Sequence, residues 1–216
     1  MITNSKNEIL EYCEKNSSNP SIFLELLTAF TWKNTTNPRQ LSGHIQGKLL
    51  SLIVRLMKPK MVLEIGTFTG YSTASLLEYL PIESEIHTIE ADKEIFFKTQ
   101  EFWKLNNDSK RINFHYGIAL DIIPTLKIKS DLIFIDADKR NYINYFDLCL
   151  PLLQENGVMI FDNTLWSGKV AQKKERESNT DTRIMHEFNV YIKNNEFCEV
   201  LLLPIRDGLT ILTKKN

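Results

Sequence analysis

The chain has 216 residues, of which 43% are hydrophobic and 25% are charged. This length suits one sizeable domain, and the composition excludes a disordered or fibrous protein. Its 26 basic and 27 acidic residues give a net charge of −1, which disfavours a nucleic-acid partner, and no apolar run approaches a membrane span. Residues 1–14 lack the apolar core of a secretory signal peptide. We therefore expect a cytoplasmic protein with no membrane or nucleic-acid partner.

The three cysteines, Cys13, Cys149 and Cys198, are widely spaced and include no C-x-x-C pair. An odd number at such spacing predicts free thiols rather than a disulfide framework or a zinc site. Free thiols agree with a reducing compartment.

The first 58 residues carry apolar side chains at helical spacing. The pattern predicts helices over Asn7–Asn16, Ser21–Lys33 and His44–Lys58, with a loop over Asn34–Ser42. The third helix has an apolar stripe that permits a dimer contact. We interpret the whole chain, 1–216, as one domain with an N-terminal helical segment (1–58) and an α/β core (59–216).

From Pro59 onwards, short apolar runs alternate with helical segments. This alternation at the length of βαβ units predicts a parallel sheet with helices on both faces. Strands are predicted over Met61–Ile65, Glu85–Glu90, Arg111–Tyr116, Asp131–Ile135 and Gly157–Phe161. Helices are predicted over Tyr71–Leu80, Lys93–Leu105, Ile118–Leu126 and Asn141–Leu153.

The end of the chain breaks this alternation. Two further strands, Phe197–Leu203 and Leu209–Thr213, are separated by only five residues, which cannot cross over a sheet. These strands must therefore be antiparallel neighbours, and Asp207-Gly208 supplies the turn. We expect a Rossmann-like, mostly parallel sheet with one reversed strand near the C-terminus. The polar connection Thr164–Asp181 is a candidate lid.

Acidic residues stand at the ends of four predicted strands: Glu64, Glu90, Asp136 and Asp162. Ligands of open α/β sheets bind at the carboxyl ends of the strands. A single acid there is usually an ordinary surface residue. Four around one crevice indicate a binding site.

The turn after the first strand reads Glu64-Ile-Gly-Thr-Phe-Thr-Gly70, and its glycines allow a ligand to approach the backbone closely. A carboxylate in this turn is unhelpful to a pyrophosphate but suits a cationic ligand with an amino group and a sulfonium. Glu90 follows 20 residues after Gly70, where a carboxylate can accept hydrogen bonds from ribose hydroxyls. The pattern favours S-adenosylmethionine over NAD as the cofactor.

A second group of residues comprises Asp136-Ala-Asp138-Lys139 and Asp162-Asn163. Two carboxylates and an amide oxygen from adjacent strand ends suit Mg²⁺, with Mn²⁺ or Ca²⁺ as alternatives. A nearby cation favours a neutral amine, so Lys139 is a candidate general base. The alternatives are a helix cap at Asp138, a simple turn at Asp162-Asn163 and an ordinary surface lysine.

Four segments, in this order, carry a family resemblance: Val62–Ser72, Phe134–Lys139, Asp162–Gly168 and Leu203–Leu209. They resemble the cation-dependent class I O-methyltransferases, which include caffeoyl-CoA and catechol O-methyltransferases. The resemblance extends from about Gln40 to the end of the chain. It implies a seven-stranded sheet whose last-numbered strand is antiparallel, and a homodimer.

The resemblance also implies a role for each matched residue. Asp136, Asp162 and Asn163 would hold the divalent cation, and Lys139 would be the general base. The residues implied to contact S-adenosylmethionine are Ser42, Glu64, Gly66, Thr67 and Ser72 at the methionine, Glu90 at the ribose, Gly117, Ile118 and Ala119 at the adenine, and Asp136 and Asp138 along the border.

The acceptor is predicted less directly. Trp166 is a candidate wall for an aromatic ring, although a core tryptophan is the alternative. Ser167 stands where plant acyl-CoA enzymes have asparagine, which disfavours an acyl-CoA acceptor. The basic residues between Lys169 and Arg176 are interrupted by acids, which favours a solvated segment over an anion site.

We therefore predict methyl transfer to a small catechol-like acceptor, a vicinal dihydroxy aromatic compound. Another hydroxyl compound or a protein is the alternative acceptor. An NAD(P)-dependent reductase and a non-catalytic binding module are more distant alternatives. None of the seven tyrosines has a lysine four residues later, as a Tyr-x-x-x-Lys reductase would require.

Overall fold

The computed structural model describes residues 6–215, so residues 1–5 of the segment compared with signal peptides lie outside the described residues. The N-terminal segment forms three helices, α1 (Lys6–Lys15), α2 (Ile22–Asn34) and α3 (Gly43–Met57). Ser21 caps α2 because its hydroxyl accepts the Leu24 N–H. All three predicted helices are confirmed.

The α/β core contains seven strands and six further helices within the described residues. The strands are β1 (Met61–Ile65), β2 (Glu85–Glu90), β3 (Ile112–Tyr116), β4 (Ser130–Ile135), β5 (Leu153–Phe161), β6 (Cys198–Leu203) and β7 (Leu209–Lys214). The helices are α4 (Tyr71–Leu77), α5 (Lys93–Trp103), α6 (Ala119–Ile122), α7 (Tyr142–Cys149), α8 (Lys173–Ser178) and α9 (Thr180–Lys193).

The strands form one sheet in the order β3-β2-β1-β4-β5-β7-β6. The first five run parallel, and β7 is antiparallel to both β5 and β6. The predicted mostly parallel, seven-stranded sheet with one reversed strand is therefore confirmed. Ile65 pairs with Ile135, and Ile135 pairs with Phe161. The residues that directly follow β1, β4 and β5, which are Gly66, Asp136 and Asp162, consequently lie side by side at one edge of the sheet.

Several predicted elements differ in extent from the structure, and two differences are large. The helix over Asn141–Leu153 ends at Cys149, because the turn around Pro151 cannot continue it, and β5 begins at Leu153. The candidate lid Thr164–Asp181 is largely helical, with a 3₁₀ segment over Trp166–Ala171 followed by α8 and the start of α9. Its polar sequence concealed this because its helices are short and mostly solvent-facing.

The sheet is covered on both faces. On one face, Leu63, Ile65 and Ile135 pack against side chains from α6, α7 and α9. On the other, Val62, Phe134 and Ile160 pack with residues of α2, α3 and α4. Neighbouring residues of a strand point to opposite faces of the sheet. Both faces therefore carry apolar side chains where helices cover them. The N-terminal helices therefore share a hydrophobic core with the sheet. No helix within residues 6–215 has the length and apolarity needed to cross a bilayer.

Candidate active site

A cavity of about 1030 Å³ opens at the carboxyl ends of the parallel strands. All but one of the predicted site residues line it. The lining members are Ser42, Gly66, Thr67, Ser72, Glu90, Gly117, Ile118, Ala119, Asp136, Asp138, Lys139, Asp162, Asn163 and Trp166. We call the part at the ends of β1, β2 and β3 the cofactor side, and the part at the ends of β4 and β5, with the Asn163–Gly168 segment, the acceptor side.

The cofactor side begins at a glycine turn after β1. The Gly66 and Thr67 N–H groups both donate to the Ile89 carbonyl, which joins this turn to β2. Gly66 has φ +96°, and a Cβ there would overlap the backbone carbonyl of Asp136. Only glycine combines this conformation with such a close approach of two strand ends. Glycine at this position therefore lets the ends of β1 and β4 lie directly against each other beside the cavity.

Glu90 at the end of β2 is held by backbone donors. One carboxylate oxygen accepts the Phe68 N–H at 2.7 Å and the other accepts the Asp92 N–H at 2.8 Å. Burial raises the pKa of Glu90. A carboxylate oxygen accepts more than one hydrogen bond, so both oxygens can still accept from ligand hydroxyls. The Gly117 N–H donates to the Glu90 carbonyl, which brings the Gly117–Ala119 segment to the same wall.

Glu64 is the predicted site residue that the structure does not place on the cavity. Its side chain is 0% exposed, and one carboxylate oxygen accepts hydrogen bonds from the Thr73 and Thr88 hydroxyls. The other oxygen has no hydrogen-bond partner among the described residues. Burial raises the Glu64 pKa to about 7. Thr67, which lines the cavity, is hydrogen-bonded to Thr88 at 2.6 Å, so Glu64 supports the wall from behind.

The acceptor side is centred on Asp136, Lys139 and Asp162. The Lys139 amino group donates to Asp136 Oδ1 at 2.6 Å and to the Tyr142 hydroxyl at 2.8 Å. The Tyr142 hydroxyl in turn donates to the Asp162 carbonyl at 3.0 Å. This network ties the ends of β4 and β5 together around one amine.

Without a cation, the carboxylates of Asp136 and Asp162 repel each other. Asp162 is 2% exposed, and burial followed by the nearby Asp136 charge raises its pKa to about 7. Lys139 offsets part of that repulsion. Buried carboxylates are stable when they are paired or bind a metal, so the donor set fits a hard divalent cation.

The protein supplies only part of the ligands that a cation would need. Residues 6–215 contain no group of three or more His, Cys, Asp or Glu side chains placed to hold a metal ion. A cation would therefore depend on the two carboxylates, the Asn163 amide and oxygens from water or substrate. Mg²⁺ is typically held in this way, through one or two carboxylates and retained waters.

The segment after β5 has an unusual backbone. Asn163, Trp166 and Ser167 all have positive φ, between 49° and 59°, followed by Gly168 at 79°. Asparagine and glycine tolerate this region, whereas tryptophan and serine are strained in it. The Leu165 N–H donates to the Asp207 carbonyl at 2.7 Å, so the β6–β7 turn holds the segment in place. Trp166 consequently faces the cavity rather than the core alone.

The alternative roles of Asp138 and of the basic residues near α8 can also be compared with the structure. The Asp138 carboxylate makes no helix-cap hydrogen bond and accepts from Tyr145 and Asn141 instead. The basic residues from Lys169 to Arg176 lie away from the cavity lining. The Arg176 guanidinium donates to the Val170 carbonyl, so it stabilises its own segment.

Sequence reasoning missed several residues of the cavity. Tyr145 lines the cavity, whereas Tyr142 is fully buried and reaches the site only through its hydroxyl, which accepts from the Lys139 amino group. They lie six and three residues after Lys139, a helical spacing that could have identified them. Arg39 and Arg206 line the rim, where the Arg206 guanidinium donates to the Leu41 carbonyl at 3.0 Å. Nothing local in the sequence indicates that these two arginines, which are far apart in the chain, line the same cavity.

A family model described as O-methyltransferase matches residues 14–215. A flavonoid 3′,5′-methyltransferase of Vitis vinifera is 31% identical over 176 residues, which cover 77% of this chain and 75% of that protein. A caffeoyl-CoA O-methyltransferase of Medicago sativa is 31% identical over 177 residues, covering 77% and 71%. The crystal structure of the SAH-bound methyltransferase PaMTH1 of Podospora anserina superimposes with a TM-score of 0.92 at 27% identity, covering 100% of this chain and 97% of that one.

Proposed function

The chain belongs to the O-methyltransferase family, and on that premise we propose that it transfers a methyl group from S-adenosylmethionine to one hydroxyl of a catechol-like acceptor, with the help of a divalent cation. The observation that carries this proposal is that one cavity contains both the glycine turn and Glu90 of the cofactor side and the Asp136–Lys139–Asp162 cluster. The similar PaMTH1 structure is described as SAH-bound, which supports the choice of cofactor.

The cofactor side supports a ligand with a ribose and a charged amino acid end. Glu90 would accept hydrogen bonds from the ribose hydroxyls, and Gly117–Ala119 would lie along the adenine. Ser42, Thr67 and Ser72 line the opposite part of the wall and would surround the methionine. Glu64 acts there through Thr88 and Thr67 rather than by direct contact.

The acceptor side supports two neighbouring oxygens on an aromatic ring. Asp136, Asp162 and Asn163 would hold the cation. When bound, the cation would supply Lewis-acid chemistry that lowers the pKa of an acceptor hydroxyl, and it would favour an acceptor with two neighbouring oxygens. Trp166 offers an aromatic wall beside the ring.

Lys139 is the proposed general base. The new O–CH₃ bond forms as the CH₃–S bond breaks, the bonding electrons remain on sulfur, and the hydroxyl proton passes to the Lys139 amine. Asp136 and Tyr142 hold that amine at 2.6 and 2.8 Å, so its direction is set before the acceptor arrives. The rest of the rate enhancement would come from placing oxygen, methyl and sulfur in line.

The experiment is methyl transfer from labelled S-adenosylmethionine to caffeate, catechol, a flavonoid diol and a monophenol, each with Mg²⁺ and with EDTA. We expect product from the diols alone, abolished by EDTA. Lys139→Met should lower kcat by about 10²–10⁴-fold while leaving SAH affinity unchanged. Product from the monophenol, or undiminished turnover in EDTA, would contradict the chelation mechanism. Cofactor binding without turnover on any diol would direct the search to other hydroxyl compounds and to proteins.

We also propose a cytoplasmic homodimer. Ile22 and Leu56 on the N-terminal helices are 78% and 82% exposed, which supports a contact between two copies. All three cysteines are free, which supports a reducing compartment. Light scattering of the purified chain should give about twice the monomer mass of 25.1 kDa. A monomer mass at micromolar concentration would contradict the dimer.

A further inference from the structure

Gln46 connects the N-terminal helical segment to the acceptor side. It lies near the start of α3 and is 0% exposed. Its Nε2 donates to Asp162 Oδ2 at 2.6 Å, across 116 positions of sequence. Gln46 does not line the cavity, so it approaches the Asp162 carboxylate from behind.

The Asp162 carboxylate is held at both of its oxygens. Oδ2 accepts from Gln46, and Oδ1 accepts the Asn163 backbone N–H at 2.6 Å. These two donors restrict the orientation of the carboxylate, because each holds one of its two oxygens. Each oxygen retains a lone pair that can face the cavity. Outer hydrogen bonds of this kind orient the ligands of metal sites and tune their affinity.

The other end of the Gln46 amide gives an independent observation. Its Oε1 is buried and has no hydrogen-bond partner among the described residues. A buried acceptor without a partner is unfavourable for folding, and an apolar side chain of the same size would avoid this cost. Turning the amide over would place Oε1 against the Asp162 oxygen, which also accepts. The polar side chain is therefore explained by the carboxylate that it holds and not by the packing around it.

We propose that Gln46 is a positioning residue that orients the Asp162 carboxylate for a divalent cation. This inference rests on the cation dependence in the proposed function. It also gives α3 a role at the acceptor side, since Gln46 lies on that helix and contacts Asp162. Cation binding would therefore depend on the N-terminal helical segment being docked on the sheet.

The experiment is a Mn²⁺ titration of the full chain, followed by the spin-resonance signal of free Mn²⁺, for the unsubstituted protein and for Gln46→Met. Methionine has a similar length and no donor. We expect Mn²⁺ affinity to fall by about 10–100-fold. The unfolding temperature in EDTA should change little, because the variant removes one unpaired buried oxygen, Gln46 Oε1, and leaves another, Asp162 Oδ2, without its donor. SAH affinity, measured by calorimetry, should stay unchanged.

Ser51→Ala is the matched control. Ser51 lies on the same helix, is also 0% exposed, and its hydroxyl donates only to the Lys48 carbonyl. This variant should keep the Mn²⁺ affinity of the unsubstituted protein. Gln46→Leu provides a second donor-free variant if methionine prevents folding.

Three outcomes would overturn the proposal. Equal Mn²⁺ affinity in the Gln46 variants would show that the hydrogen bond does not position the ligand. Gln46 would have a structural role if the variants lose as much free energy of unfolding in EDTA as they lose free energy of Mn²⁺ binding. If the unsubstituted protein binds no Mn²⁺, the cation proposal itself fails, and the role of Gln46 fails with it. That last outcome is recognised without any variant, so the two failures are distinguishable.

Discussion

The two sides of the cavity are built in different ways. The cofactor side is formed by consecutive strand ends and their turns, and most of its special backbone conformations fall on glycines. The acceptor side joins segments that are far apart in sequence. Of the six non-glycine residues with positive φ in the described chain, four lie at or beside it: Asn163, Trp166, Ser167 and Arg206. Local chemistry therefore builds the first side, whereas the second depends on tertiary contacts that hold strained backbone in place.

The largest effect is expected on the acceptor side. Asp162→Asn keeps the shape of the side chain and removes the charge that would bind a cation. Turnover should fall by at least about a thousandfold, because a bound cation contributes several kcal/mol of stabilisation. SAH affinity, measured in parallel by calorimetry, should remain within about twofold, since the cofactor side is separate. Cation-dependent turnover close to that of the unsubstituted protein would remove Asp162 from the proposed cation site.

The second test compares two glycines with positive φ. Gly66→Ala should lower the free energy of unfolding by about 3 kcal/mol and abolish SAH binding, since its Cβ overlaps a backbone carbonyl. Gly43→Ala carries similar backbone strain, but its Cβ would meet only the flexible Arg206 side chain at 3.4 Å. It should cost about 1 kcal/mol. Chemical denaturation measures both, and equal losses would mean that the close approach at Gly66 is unimportant.

The third test is the pH dependence caused by Glu64. Its pKa rises from 4.5 to about 7 on folding, so the folded protein holds the proton more tightly. The associated stability is present below pH 4.5 and is lost as the pH rises through about 7. Glu64→Gln cannot lose this proton, so its stability relative to the unsubstituted protein should increase by about 2 kcal/mol between roughly pH 5 and pH 8.

The control for this pH test is Glu83→Gln at an exposed turn, which should show no such increase. Denaturation curves at the two pH values decide the matter. If the two proteins differ in free energy of unfolding by the same amount at both pH values, that result would contradict the raised pKa that burial gives Glu64.

The smallest effect is expected at Ser167. Its φ of 55° suits glycine better, but glycine also gives the unfolded chain more freedom. The two effects nearly cancel, so Ser167→Gly should change the free energy of unfolding by less than about 1 kcal/mol. A larger loss would show that the 3.3 Å hydrogen bond from the Ser167 hydroxyl to Asp207 stabilises the acceptor side more than its length indicates.

Sequence reasoning succeeded where the signal is local. Alternating strands and helices predicted the parallel sheet, and five residues between β6 and β7 were enough to predict the reversal. Acids placed directly after strands predicted Glu90, Asp136 and Asp162 on one cavity, because parallel strands end at the same edge. The role of each of these residues in binding a cofactor or a cation stays a prediction.

Sequence reasoning failed where tertiary packing determines whether a side chain is buried. Glu64 lies one residue before the end of a central strand, and its side chain points to the face that α4 covers. Alternation along β1 sends that side chain away from the cavity, and only the packing of α4 determines that no solvent reaches it. Sequence reasoning likewise predicted no helix over α9, because this helix is recognised by the residues it buries, Met185, Phe188 and Ile192.

By itself, the sequence determined the family, the alternation of strands and helices along the chain, the one reversed strand and the identity of the polar residues at the strand ends. These depend on residue spacing and turn chemistry, which act over a few neighbouring positions. The tertiary structure alone decided that Gln46 reaches Asp162, that Tyr142 joins Lys139 to β5, and that the β6–β7 turn holds Trp166 towards the cavity. Such contacts join residues far apart in the chain, and they form only after helices and sheet have packed together.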